Sequence, residues 1–89
     1  MSADDVLSTW NIKKNSLGNY CLVGKSKKQK KEIMTSPISI YFREQNIVIT
    51  QSYTIYELDP KADFFNQIDL NNAINENWKK YLEEKYKPK

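Results

Sequence analysis

The chain has 89 residues, 39% of them hydrophobic and 12% aromatic, and its 14 basic and 11 acidic residues give a net charge of +3. That is apolar material for one core rather than two, and too many aromatic and β-branched residues for a wholly disordered chain. No apolar run approaches the ~20 residues of a membrane-crossing helix, and the single cysteine closes no intramolecular disulfide.

Residues 1–9 read as an N-terminal tail. Met1-Ser2-Ala3-Asp4-Asp5 is acidic and lacks the basic start and apolar stretch of a secretion signal, which points to the cytoplasm. Trp10-Asn11-Ile12 opens the first ordered segment, and Asn15-Ser16-Leu17-Gly18-Asn19 supplies turn chemistry. Tyr20 to Gly24 is a second strand, so residues 10–24 form a hairpin. Within it Cys21 sits in an apolar run and reads as a small core hydrophobe.

Lys25, Lys27, Lys28, Lys30 and Lys31 then place five positive charges in seven residues with no acid among them. Without them the chain holds nine basic against eleven acidic residues, a balance of −2. This is a near-neutral domain with one basic loop, expected to be solvated and mobile. Residues 32–42 follow, where Ile38, Ile40 and Phe42 alternate with Ser39 and Tyr41, the period of a half-buried strand with Tyr41 facing outward. Pro37 suits a strand start, an edge or a bulge. After the polar turn 43–46, Ile47-Val48-Ile49-Thr50 is the strongest strand signal in the chain. A weaker turn at Gln51-Ser52 leads to a last strand, Tyr53–Leu58, in which Glu57 faces solvent, and Asp59-Pro60 ends the sheet.

The short turns imply four to five consecutive antiparallel strands over residues 10–58, forming a small sheet or an SH3-like barrel. Residues 59–69 read as a connector anchored by Phe64, Phe65 and Ile68. Asp69 or Asn71 then caps a helix over 70–87, stopped by Pro88. Leu70, Ile74, Trp78, Tyr81, Leu82 and Lys85 form one stripe, which covers the sheet or docks into a partner. Glu76–Lys80 and Glu83–Lys87 form i,i+4 pairs on the other face. The fold class is α+β, in one domain of residues 1–89.

The absence of histidine removes the commonest general base and metal ligand. With one cysteine and no histidine, the usual zinc sites and nucleophile–histidine arrangements cannot be written. Two glycines, Gly18 and Gly24, do not make a phosphate loop or a dinucleotide fingerprint. Asp59, Asp63 and Asp69 read as turn and cap residues. A non-enzyme without metal or cofactor is the expectation.

Two features point to binding. The lysine loop, Lys25 to Lys31, can neutralise phosphates, with Tyr20 and Tyr41 able to stack on bases, which gives a nucleic-acid-binding module as one reading. The other is apolar supply on both faces of the sheet. One helix covers one face, so outward tyrosines (Tyr41, Tyr53 and Tyr20) become candidates for a protein interface. The preferred expectation is a non-enzymatic regulator or inhibitor that occupies a surface of a larger protein partner. That partner is acidic or part of a nucleic-acid-handling complex, and the lysines steer the approach. Inhibitors encoded by phages or mobile elements, and immunity proteins, share this size and lack of catalytic equipment. No membrane is involved, and the chain is a monomer or a small homo-oligomer.

Overall fold

The computed structural model describes residues 2–86. Six strands precede one helix: β1 (Asp5–Lys14), β2 (Tyr20–Ser26), β3 (Lys31–Met34), β4 (Ile38–Phe42), β5 (Ile47–Thr50), β6 (Ile55–Asp59) and α1 (Phe64–Lys85). They form one sheet in the order β3-β2-β1-β6-β5-β4. The sequence reading of four to five strands in antiparallel succession is corrected in two respects. Lys31–Met34 is a sixth strand, and β1 pairs with β6 in parallel, Leu7 beside Leu58.

The parallel pair exists because β1 starts at Asp5, inside the segment expected to be a tail. Asp5 and Leu7 are buried while Val6 and Ser8 are only half so, the alternation of a strand. A bulge between Ser8 and Asn11, with Thr9 in the left-handed region at φ 50°, bends β1 between its two partners. Residues 5–8 run beside β6, while β2 pairs with β1 on both sides of the bulge, at residues 7–8 and 11–14. Gly24 of β2 faces this bulge. A Cβ there would lie 2.8 Å from both Leu7 Cγ and the Ser8 carbonyl oxygen, so the close approach depends on glycine.

The sheet does not close into a barrel; β3 and β4 remain its edges. It curls until β2 approaches β4, and α1 fills the opening between them. Buried Asn77 is the clasp: its side chain accepts from the Tyr20 amide at 2.8 Å and donates to the Tyr20 and Ile38 carbonyls at 2.9 and 2.8 Å. Leu70 and Ala73, on the same face of α1, complete a core of Leu7, Leu22, Ile38, Val48, Tyr56 and Leu58. Cys21 is fully buried, and desolvation pushes its thiol above the ordinary value.

α1 begins six residues earlier than expected. Asp63 is its N-cap, accepting from the Asn66 amide at 2.8 Å while the Asn66 side chain reaches back to the Asp63 amide. Asp69 and Asn71 therefore lie inside the helix rather than capping it. Phe64 and Phe65, expected to anchor a connector, are instead 69% and 74% exposed in the first turn. Lys80, expected to pair with Glu76, donates to the Leu17 carbonyl and ties α1 to the β1–β2 turn. Lys87 and Pro88, assigned to the helix end in the sequence reading, lie outside the described residues. No helix among the described residues is long and apolar enough to cross a membrane.

Candidate functional site

The lysine segment is better ordered than a loose loop. Lys25 belongs to β2, Lys31 to β3, and residues 27–30 form the turn between them. Asp5 holds that turn from the neighbouring strand. Its carboxylate accepts from the Ser26 hydroxyl and from the amides of Lys28 at 2.9 Å and Val6 at 2.8 Å. The Ser26 hydroxyl oxygen in turn accepts from the Gln29 amide at 2.9 Å, and the Ser26 carbonyl accepts from the Lys30 amide at 2.8 Å. Desolvation alone would raise the Asp5 carboxyl, but the Ser26, Lys28 and Val6 hydrogen bonds and the Lys28 charge outweigh it and hold it below its ordinary value. The backbone is thus pinned while all five lysines stay exposed. A depression beside the turn is lined by Lys25, Lys27 and Lys30 on one side and by Glu57 and Asp59 on the other. That mixture is a poor cradle for phosphates.

At the opposite edge of the sheet, β4 carries a second bulge between Ile38 and Ile40. It shifts the alternation by one residue. Ile38 points into the core, and so does Tyr41, which packs half-buried against it. Ile40 and Phe42 turn outward. The expectation that Tyr41 faces outward is corrected here. Its hydroxyl is buried with no hydrogen-bond partner, and desolvation raises its pKa while nearby Arg43 opposes the rise. Tyr20 is also half-buried against the core, with its backbone held by Asn77. Both tyrosines are therefore less open to solvent than outward positions would leave them.

Tyr53 does. It stands 85% exposed at the tip of the β5–β6 turn, where its amide bonds to the Thr50 carbonyl at 2.9 Å. Its φ is 66°, in the left-handed region that a bulky side chain enters at a cost of roughly 1–2 kcal/mol. A glycine or asparagine at this position would carry less strain.

Tyr53 lines a cleft of about 400 Å³ together with Ile40 and Ile49, Trp78 and Tyr81 of α1, and the polar residues Thr50 and Gln51. Trp78 and Tyr81 meet edge to face with ring centroids 5.7 Å apart. The Trp78 ring nitrogen donates to the Ser39 carbonyl at 2.9 Å, which fixes the indole against the β4 edge. The cleft is therefore mainly apolar, holds three aromatic side chains and is built on hydrogen-bonded positions, with Ile40, Trp78 and Tyr81 each more than two-fifths exposed.

Of the tyrosines singled out in the sequence, the structure places only Tyr53 here. Tyr20, Tyr41 and the five lysines lie elsewhere and form no joint site with it. Ile40 was read as core-facing, and the bulge in β4 brings it to the surface; Trp78 stood on the stripe read as covering the sheet or docking into a partner, and it is 44% exposed. Among the described residues no group of three or more His, Cys, Asp or Glu side chains gathers where it could hold a metal ion. No family model, no curated protein and no solved structure matches this chain.

Proposed function

We propose that the chain is a non-enzymatic regulator or inhibitor that occupies a surface of a larger protein and grips it through the Tyr53–Trp78 cleft. The observation that carries this reading is Tyr53: a large aromatic side chain displayed almost completely to solvent from a strained backbone, beside other exposed apolar groups. Strain of this kind is tolerated where a side chain's presentation matters more than local stability. Aromatic anchors in a desolvating pocket supply most of the affinity in protein interfaces. The occupant is an apolar side chain from a partner segment, entering between Tyr53 and Trp78. The partner's surroundings are acidic, because the five exposed lysines set the chain's positive balance and steer approach.

The test retains partners from extract of cells that carry the protein, with and without nuclease treatment, on three immobilised chains: the native chain, Tyr53→Gly, and a chain with the five lysines changed to Ser. The expected result is one protein retained by the native chain and, with a slower on-rate, by the lysine variant, but lost by Tyr53→Gly. Retention that follows the lysines and disappears with nuclease treatment would overturn the reading in favour of nucleic acid. In that case affinity for labelled RNA or DNA would fall by about two to three decades between 50 and 200 mM salt, as five phosphate contacts require.

A further inference from the structure

The long helix has a second face that the fold leaves uncovered. α1 is 22 residues, about 33 Å, and its buried residues are Leu70, Ala73 and Asn77. Well round the helix from these, residues 64, 68, 71, 75, 78 and 82 recur at alternating steps of four and three, the spacing of a coiled-coil seam. They are Phe64, Ile68, Asn71, Asn75, Trp78 and Leu82, and every one is exposed. The stripe contains no charge as far as Leu82; its next position, Lys85, is the last residue of α1 and lies beyond the length paired below.

Its order along the helix is a palindrome. Placed antiparallel against a copy of itself and centred at residue 73, Phe64 falls opposite Leu82, Ile68 opposite Trp78, and Asn71 opposite Asn75. Apolar residues meet apolar ones, and the amide side chains, each able to donate and accept, meet each other. Seven-residue periodicity alone does not require this symmetry. The flanking positions agree with it. On one side they are Phe65, Asn72 and Lys79, on the other Gln67, Ile74 and Tyr81. Lys79 is the one charge among them and falls opposite Phe65 of the second copy, so no like charges meet. The acids Asp69, Glu76, Glu83 and Glu84 all lie off the seam.

The size also suffices. Aromatic side chains offer about 150–250 Å² each when fully buried. The exposed parts of Phe64, Phe65, Ile68, Trp78, Tyr81 and Leu82 (42–74% of each residue) therefore supply on the order of 600 Å² of apolar surface per copy. With a polar rim this reaches the roughly 800 Å² per partner that specific complexes bury.

We infer that the exposed seam of α1 is a self-association surface, and that its occupant is the antiparallel α1 of a second copy of this chain in a two-fold dimer. The seam shares Trp78 and Tyr81 with the Tyr53 cleft, so a second copy and an occupant of the cleft compete for these two side chains.

The test follows molar mass by sedimentation equilibrium over a concentration series, for the native chain and two exposed double variants. The native chain is expected to pass from one copy to two as concentration rises. Asn71→Lys with Asn75→Lys sets lysine against lysine across the two-fold, and is expected to weaken dimerisation at least tenfold with an unchanged circular dichroism spectrum. Asn71→Lys with Asn75→Glu sets lysine against glutamate and is expected to keep the dimer. A native chain that stays monomeric at millimolar concentration overturns the inference and leaves the seam to another protein. A dimer indifferent to the two lysines overturns it as well, because another face would then be in contact. Loss of the dimer in both double variants rejects the antiparallel pairing.

Discussion

The two edges of the sheet treat their exposed groups in opposite ways. At the β2–β3 turn the chain consumes its own polar groups. Asp5 and Ser26 satisfy the turn's amides, and charged Lys31 and Glu32 guard the β3 edge against pairing with other strands. At the β4 edge the polar groups are likewise tied down, Ile38 and Ser39 by Asn77 and Trp78, but the apolar groups are left open. The five lysines of the β2–β3 segment are solvated where they stand. Ile40, Tyr53, Trp78 and Tyr81 gain nothing from solvent, and the fold closes elsewhere without them. The difference separates residues that hold the structure from residues that the structure holds out. It predicts a steep gradient of stability effects from the clasp to the cleft.

Asn77→Ala stands at the top of that gradient. It strips partners from three backbone groups in the seam between β2 and β4, each costing about 1–3 kcal/mol when left buried and unpaired. A loss of about 3–5 kcal/mol is expected in denaturant unfolding, and a loss under 1 kcal/mol would show that α1 is not the closing element. Asp5→Ala comes next, at about 2 kcal/mol, since it removes a charged acceptor from the turn. The pH dependence has a definite sign. The folded carboxyl lies below its ordinary value of 3.8, so its contribution is complete above that pH and is lost as pH falls below it. The native chain should therefore lose its advantage over Asp5→Ala in acid, and a gap that stays constant to pH 2 would contradict the assignment.

The cleft residues occupy the lower end. Trp78→Phe deletes one hydrogen bond to Ser39 and should lower stability by about 1 kcal/mol. Replacing the five lysines with Ser should move it by less than about 0.5 kcal/mol, because the Asp5 and Ser26 bonds go to backbone amides that remain. Tyr53→Gly should leave the melting temperature unchanged or raise it, since relief of the left-handed strain offsets the added freedom of glycine in the unfolded chain. A marked fall would place Tyr53 among the residues that hold the fold.

The same contrast explains what was legible in the sequence. Ile38–Phe42, Ile47–Thr50 and the helix around Leu70–Leu82 stand where periodicity and β-branching put them, because those patterns report local burial. β1 was missed at its start because Asp5 is buried by a partner 21 residues away, which no local pattern encodes. β3 was missed because an edge strand reading Lys-Glu-Ile-Met carries charge rather than alternation. The bulge at β4 exchanged the roles of Tyr41 and Ile40, since one inserted residue reverses every later side chain. Phe64 read as a connector anchor and Trp78 as part of a stripe that covers the sheet or docks into a partner, because hydrophobicity shows what can be buried, and only the extent of the sheet decides what is.

The most direct test of the account places a photo-crosslinking aromatic residue at position 53, and separately at position 28, in cells that carry the protein. A discrete protein adduct is expected from position 53, vanishing when Trp78 is changed to Ala, and none is expected from position 28. Adducts from position 28 alone, or a nucleic-acid adduct there, would contradict it and move the binding surface to the lysine turn.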